Sequence, residues 1–228
     1  MIKLIIFDKD GTLINHDKLF IPWLNTLLEK LKPLLPDNNY LPHHLGFINN
    51  KFTSDSVVPC GTNNDIKNSI IDFIKKYSSF NKELFENIWN SVDYGYDNIE
   101  THGDLIHIFK RLKDMNIKIA ICTSDNRKET EIMINKTNIN KYIDFYVCGD
   151  DPGKSKPSGE PILKICNKLN IDVKDSIFVG DTITDIKSGK EAECYKVISV
   201  LTGGYSKEEL KDADIIIPDI SHIFDYLN

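Results

Sequence analysis

The first fifteen residues, MIKLIIFDKDGTLIN, place two aspartates at the end of a short apolar run. Residues 2–7 are almost all hydrophobic, which is typical of a strand buried on both faces of a parallel sheet. Because side chains alternate along a strand, Asp8 and Asp10 are expected to point to the same side. Two such charges repel each other, and this repulsion is tolerable if the pair binds a cation or reacts with a transferred group. The alternative is a solvated Asp-Lys-Asp-Gly turn, and these residues alone do not decide between the two.

Length and composition predict a soluble, folded protein, because the 228 residues are 41% hydrophobic and 27% charged, close to globular averages. The formal net charge of −6 argues against a broad nucleic-acid surface, so no nucleic-acid partner is expected. No apolar run suits a membrane span and no signal-peptide pattern is present, so we expect no membrane association and a cytoplasmic location. The five cysteines have no C-x-x-C spacing and are expected to be free thiols. A monomer or a weak homodimer is the default.

Residues 16–96 show helical periodicity and no strand pattern. Apolar residues recur at helical spacing from Phe20 to Leu31, before two prolines. A short helix is indicated between residues 41 and 52, and Thr62 or Asn63 is expected to cap a later one. We therefore predict an all-helical cap domain over 16–96. Since it leaves the carboxyl end of the first strand, it is expected to cover a site there.

From Gly103 onward, strands and helices alternate. Strands are predicted at residues 117–122, 143–148, 176–179, 196–200 and 215–217, with helices between them. This alternation is typical of an α/β fold with a doubly wound parallel sheet, a Rossmann-like core with helices on both faces. We therefore assign residues 1–15 and 97–228 to one α/β core domain.

Three of these predicted strands are followed by further polar groups. Thr123 and Ser124 can bind anionic oxygens or cap the next helix. Lys156 lies in a turn-rich loop, where an exposed, solvated lysine is the alternative. Asp181 and Asp185 are four residues apart and can face one side of a helix, although acidic residues in a first turn are also ordinary.

The order of these groups is more informative than any one of them. An acidic pair, hydroxyls, a lysine and a second acidic pair follow successive strands, and the carboxyl ends of parallel strands meet at one edge of the sheet. Such a set can hold Mg²⁺ and a phosphoryl group together.

The motifs resemble those of the haloacid dehalogenase-like (HAD) hydrolase superfamily, with the spacing of its phosphoglycolate phosphatase-like branch. The resemblance covers nearly the whole α/β core, and the insertion is similar to the helical C1 cap of that branch. Four motifs and a C-terminal pattern carry it: Asp8-Lys-Asp-Gly-Thr12, Thr123, Lys156-Pro157, Gly180-Asp-x-x-x-Asp185 and Thr202-Gly-Gly-Tyr-Ser.

The resemblance implies a Mg²⁺-dependent phosphatase that hydrolyses a small phosphomonoester, similar to 2-phosphoglycolate, through an aspartyl-phosphate. Asp8 would be the nucleophile, and Asp10 would protonate the leaving oxygen and then activate water. The resemblance also implies that Thr123, the Ser124 backbone N–H and Lys156 bind the phosphoryl oxygens. The implied magnesium ligands are Asp8, the carbonyl of Asp10, Asp181 and Asp185.

Other chemistries of this superfamily and of unrelated classes remain as alternatives. A phosphomutase of the β-phosphoglucomutase type has both aspartates, whereas a dehalogenase needs no second one. A non-catalytic module that binds or accepts phosphate is the other alternative, and intact Asp8, Asp10, Lys156 and Asp181 argue against it. Release of phosphate with turnover separates an enzyme from such a module.

Two positions depart from the family pattern. Lys9 stands where many relatives have an apolar residue, and Gly159 replaces a common proline; neither removes a catalytic group. The cap resembles the family only in being helical, so the sequence does not identify the substrate. The cap residues considered for substrate selection are Trp23, His43, His44 and Asp55.

Overall fold

The computed structural model describes residues 1–36, 40–53, 56–93, 95–96 and 99–227. Two compact units divide the chain. The core unit comprises residues 1–15 and 100–228, and the inserted unit comprises residues 16–99. No helix within the described ranges is both long and apolar enough to cross a bilayer.

The core unit begins with strand β1, Leu4–Phe7, whose four side chains are all buried. Continuous burial agrees with the apolar run that predicts a strand covered on both faces. The loop after β1 runs from Asp8 to Asn15, where the chain passes into the inserted unit.

Helices make up most of the inserted unit. Its long helices are α1, Asp17–Leu31, α4, Asn63–Tyr77, and α5, Lys82–Asn90. The short helices are α2, Leu41–His44, and α3, Val57–Cys60. The expected cap of α4 is confirmed, because the Thr62 hydroxyl and the Asp65 carboxylate form a capping box. Packing of α1 against α5 brings Trp23 and Trp89 into edge-to-face contact, with ring centroids 5.6 Å apart.

The expectation that this unit contains no strand is wrong at one point. Strands β2, Phe47–Ile48, and β3, Lys51–Phe52, form a small antiparallel hairpin. Asn49 and Asn50 connect them with φ angles of 52° and 60°. Two residues of positive φ favour a two-residue hairpin turn, and asparagine tolerates that conformation better than most residues.

After the insertion, the core unit continues with β4, Lys118–Cys122, β5, Phe145–Val147, β6, Ser176–Gly180, β7, Lys196–Val200, and β8, Ile215–Ile217. With β1 they form one six-stranded sheet in the order β5-β4-β1-β6-β7-β8, and every neighbouring pair is parallel. The strand order reverses direction at β1, and ligands of open α/β sheets bind at the carboxyl ends of strands at such a point.

Four helices connect the strands of the core unit, as the predicted alternation requires. They are α6, Leu105–Asp114, α7, Arg127–Lys136, α8, Glu160–Leu169, and α9, Ile183–Glu191. Gly159, one of the two departures from the family pattern, lies where α8 approaches the end of α9. A Cβ atom there would come within 2.5 Å of the Ala192 nitrogen, so the glycine permits this close contact.

The chain leaves and re-enters the core unit at paired positions. Asn15 donates a backbone hydrogen bond to Glu100, and His102 donates one to Leu13, with N···O distances of 2.8 and 2.9 Å. The two segments therefore run side by side in the core unit, one into the insertion and one out of it.

Candidate active site

Four loops of the core unit bring the predicted site residues to the carboxyl edge of the sheet. Asp8 directly follows β1, Thr123 follows β4, and Asp181 follows β6. Parallel pairing of β1 with β4 and with β6 places these three strand ends side by side. Lys156 lies in the loop between β5 and α8.

The Lys156 ammonium joins two of the predicted carboxylates. Its Nζ atom lies 2.7 Å from Asp8 Oδ1 and 2.7 Å from Asp185 Oδ1. The Lys156 side chain is only 5% exposed. The alternative of a solvated lysine therefore does not apply to Lys156, whereas Lys154, two residues earlier, is exposed.

Asp185 is held at the first turn of α9 by the residue that caps that helix. The Thr182 hydroxyl and backbone N–H donate hydrogen bonds to Asp185 Oδ2, at 2.6 and 3.0 Å. The Asp185 N–H in turn donates to the Thr182 hydroxyl, which completes a capping box. Asp185 therefore offers one oxygen to the helix cap and the other to Lys156.

Asp181 lies between two glycines. The Thr12 hydroxyl donates a 2.8 Å hydrogen bond to Asp181 Oδ1. A Cβ atom at Gly11 or Gly203 would come within 2.3 or 1.8 Å of Asp181 Oδ2. Both loops can therefore close on this carboxylate only because neither position carries a side chain. The Thr202 hydroxyl also donates to the Gly11 carbonyl, which ties the two loops together.

Burial dominates the electrostatics of this cluster. It raises the pKa of Asp8 to about 7, because the nearby Lys156 ammonium only partly offsets it and the neighbouring aspartates add to the rise. Burial, together with Asp8 and Asp185, also raises the pKa of Asp181 well above its usual range. For Lys156, burial opposes the charge, but Asp185 and Asp8 outweigh it and raise the pKa well above its usual value.

The three aspartates form a donor set that suits a metal ion. Asp8, Asp181 and Asp185 are all buried, and one oxygen of each lies within 4.8 Å of the others. Three carboxylates face the single ammonium of Lys156, so a further cation would relieve their repulsion. Carboxylate oxygens are ligands of hard divalent cations, so the residues fit such an ion.

Asp10 is engaged by a buried lysine. Lys9 has no exposed surface, and its Nζ atom lies 2.9 Å from Asp10 Oδ1 and 2.7 Å from Asp125 Oδ2. Asp10 is itself buried, and its charge is close enough to Asp8 to raise the pKa of that carboxyl.

Thr123 does not cap the following helix, so the alternative role predicted for its hydroxyl does not apply. Its Oγ1 atom accepts a 3.0 Å hydrogen bond from the Asp125 N–H, and Asn126 is the N-cap residue of α7. Thr123 is buried at the strand end, and Ser124 beside it is half-buried.

Of the residues considered for substrate selection, three are described. His44 bonds the Ser69 hydroxyl at 3.1 Å, Trp23 packs on Trp89, and His43 is exposed. Asp55 lies outside the described residues.

The sequence patterns assign no specific role to four residues that contact the site: Lys9, Asp125, Thr182 and Gly203. Thr182 carries a readable signal, since the Thr-x-x-Asp spacing from Thr182 to Asp185 is that of a capping box. Lys9 carries a weaker signal, a third charged residue between the two aspartates that follow β1. The contact of Gly203 with Asp181 joins residues from different loops, and no local pattern reports it.

The amino-acid sequence is similar to those of known proteins. A family model described as haloacid dehalogenase-like hydrolase matches residues 5–200. A protein of Clostridium perfringens that shares the name PpaX with Bacillus cereus pyrophosphatases is 30% identical over 193 residues, covering 84% of this chain and 81% of that protein. The phosphoglycolate phosphatase of Aquifex aeolicus is 25% identical over 194 residues, covering 83% and 81%.

Among solved structures, a predicted phosphoglycolate phosphatase from Haemophilus somnus has the same fold. The TM-score is 0.77 at 19% identity, and the match covers 100% of this chain and 98% of that one.

Proposed function

The chain belongs to the haloacid dehalogenase-like hydrolase family, and we propose that it is a Mg²⁺-dependent phosphatase that hydrolyses a small phosphomonoester through an aspartyl-phosphate. The relatives named as phosphatases support a phosphatase in general. The observation that carries the proposal is the Asp8–Lys156–Asp185 bridge, which places a buried carboxylate beside a buried ammonium at a strand end.

In the first step, a carboxylate oxygen of Asp8 attacks phosphorus and the bond from phosphorus to the leaving oxygen breaks. Asp10 gives its proton to that leaving oxygen, so the alcohol departs neutral. Lys156 stays paired with Asp8 and Asp185, where its positive charge balances the negative charge of the phosphoryl oxygens. Thr123 and the Ser124 backbone N–H contribute donors from the neighbouring strand end.

In the second step, Asp10 takes a proton from water, and the water oxygen attacks phosphorus. The bond between Asp8 and phosphorus breaks, which regenerates the carboxylate and releases inorganic phosphate. Splitting hydrolysis into two displacements lowers each barrier.

We assign the magnesium ion to Asp8, Asp181, Asp185 and the backbone carbonyl of Asp10. When bound, it neutralises charge on the carboxylates and on the phosphoryl group. The Thr12 hydroxyl and the close packing of Gly11 and Gly203 fix the position of the Asp181 carboxylate. The inserted unit is proposed to select the substrate.

Inorganic pyrophosphate is a second candidate substrate, because the PpaX relatives are named as pyrophosphatases. The same Asp8 attack would release phosphate instead of an alcohol. Phosphate is the better leaving group of the two, so this reaction depends less on proton donation by Asp10.

The test is Mg²⁺-dependent phosphate release from 2-phosphoglycolate, inorganic pyrophosphate and p-nitrophenyl phosphate. We expect turnover of at least one substrate by the wild type, and loss of it by roughly a thousandfold or more in Asp8→Asn, which removes the nucleophile but keeps its size. EDTA is expected to abolish the activity and excess Mg²⁺ to restore it.

Asp212→Asn serves as the matched control, because it makes the same chemical change at an exposed aspartate of the core unit. It should behave like the wild type. Folded wild-type protein that releases no phosphate from these substrates or from a wider set of phosphate esters would contradict the phosphatase. Activity that survives in Asp8→Asn would contradict the aspartyl-phosphate.

A further inference from the structure

Lys9 is a charged residue enclosed between two loops of the site. Its side chain has no exposed surface, and its ammonium lies between the Asp10 and Asp125 carboxylates at 2.9 and 2.7 Å. Burying an ammonium is costly, and an apolar residue in the same position would avoid that cost. The position of this lysine therefore calls for an explanation beyond packing.

Asp125 is a firm anchor for Lys9, because the β4–α7 loop fixes it at several points. Its Oδ1 atom accepts a 2.7 Å hydrogen bond from the Asn126 N–H, and its carbonyl accepts one of 2.7 Å from Gly149. Its own N–H donates to the Thr123 hydroxyl at 3.0 Å. The anchor thus belongs to the loop that also carries the proposed phosphoryl-binding hydroxyl.

The backbone of Lys9 is fixed as well. Its carbonyl accepts hydrogen bonds from the Leu13 and Ile14 N–H groups, at 2.9 and 3.1 Å. Both ends of the lysine are therefore held, one in the turn after β1 and the other on Asp125. Because the lysine is fixed at its backbone and at its ammonium, it restricts the rotation of the Asp10 carboxylate that the ammonium contacts.

We propose that Lys9 is a positioning residue for catalysis: it ties the Asp10 carboxylate to Asp125 and so holds it in the orientation that serves proton transfer. This inference rests on the proposed function, in which Asp10 protonates the leaving oxygen and then activates water. Lys9 itself does not contact the substrate. It links the acid/base group to the loop that binds the phosphoryl group.

The test is steady-state kinetics of Lys9→Met with p-nitrophenyl phosphate at saturating Mg²⁺, in the wild-type and the Asp10→Asn backgrounds. With Asp10 present, kcat is expected to fall roughly ten- to a hundredfold while KM changes by less than about threefold, since general acid–base catalysis as a whole supplies 10² to 10⁴. In the Asp10→Asn background, the same substitution should lower kcat by less than about threefold, because the group it positions is gone.

Three further variants complete the design. Lys9→Arg keeps a cation between the two carboxylates and should recover most of kcat. The double variant Lys9→Met/Asp125→Asn removes one positive and one negative charge. If Lys9→Met alone does not fold, the double variant takes its place in both backgrounds. Lys174→Met, an exposed lysine, is the control for loss of a positive charge and should match the wild type.

A merely structural lysine would lower kcat by the same factor in both backgrounds, and that result would overturn the inference. An unchanged kcat in Lys9→Met would overturn it too. The proposed phosphatase would still stand in both cases. Absence of wild-type turnover, by contrast, would point to failure of the proposed function itself.

Discussion

Gly203 has no side chain, and its loop packs directly against the Asp181 carboxylate of the candidate site. A Cβ atom at this position would lie 1.8 Å from Asp181 Oδ2, so Gly203→Ala must displace the Asp181 carboxylate or its own loop. We expect the Mg²⁺ concentration for half-maximal activity to rise about 10- to 100-fold, the usual effect of disturbing the support of a metal ligand. A magnesium titration of phosphatase activity measures this.

Gly204→Ala is the matched control for Gly203→Ala. Gly204 has a φ angle of 89°, but a Cβ atom there would meet nothing within 4 Å. It should lower the free energy of unfolding by about 1–2 kcal/mol through backbone strain and leave the magnesium titration unchanged. If both variants raised the Mg²⁺ concentration for half-maximal activity equally, contact with Asp181 would not be the cause of the weaker Mg²⁺ binding.

The clustering of the candidate site residues was easier to predict than the contacts that hold them in place. Asp8, Lys156 and Asp181 follow predicted strands directly or lie in a strand-to-helix loop, and strand order alone brings them to one edge. Gly203 and Asp125 act through contacts between loops that are far apart in the chain. Such contacts depend on the tertiary arrangement, which periodicity and spacing do not encode.

Helices α4 and α9 begin with the same device, a threonine N-cap and an aspartate three residues later. In α4 the box is built by Thr62 and Asp65, whose side-chain hydrogen bonds among the described residues stay within the cap. In α9 the capping aspartate, Asp185, also binds Lys156. The two helices therefore form a natural pair for separating stability from activity.

Thr62→Ala and Thr182→Ala should each lower the free energy of unfolding by about 1 kcal/mol, because each removes an N-cap hydroxyl. Only Thr182→Ala should also lower kcat, by about tenfold, since it frees the Asp185 carboxylate that pairs with Lys156. Urea denaturation and steady-state kinetics on both variants measure the two effects. Equal kinetic effects of the two substitutions would show that Asp185 does not depend on its cap.

Elements with a strong period were predicted well, and short elements were not. All six strands of the core sheet appear where the pattern places them, with shifts of one or two residues at their ends, and helices lie between them as expected. The β2–β3 hairpin was missed, because two-residue strands carry no usable alternation. The Asn49-Asn50 pair between them was the available signal.

Across the whole molecule, the raised pKa values of the site predict how stability depends on pH. Folded Asp8 keeps its proton up to about pH 7, while the unfolded chain loses it near 3.8. The folded, metal-free protein therefore binds more protons in this interval, and its free energy of unfolding falls as the pH rises through it. Asp181, whose pKa is also raised, contributes in the same direction.

Magnesium should oppose this loss, because it binds the ionised carboxylates. The increase in Tm on adding Mg²⁺ is therefore expected to be larger at about pH 8 than at about pH 5.5. Far-ultraviolet circular dichroism is the suitable readout, since both tryptophans, Trp23 and Trp89, lie in the inserted unit. The pH dependence of the increase should shrink in Asp8→Asn. An equal increase at both pH values would contradict proton–metal competition at these carboxylates.

The paired entry and exit of the inserted unit have an evolutionary consequence. Hydrogen bonds between Leu13–Asn15 and Glu100–His102 close the core around the insertion point. These hydrogen bonds offset the entropic cost of bringing the two ends of the segment together. That cost grows only slowly with the length of the segment. The length and sequence of this segment can therefore change with little effect on the closure of the core. Recombination or gradual change can then replace the segment between these ends while the candidate site residues of the core unit stay the same.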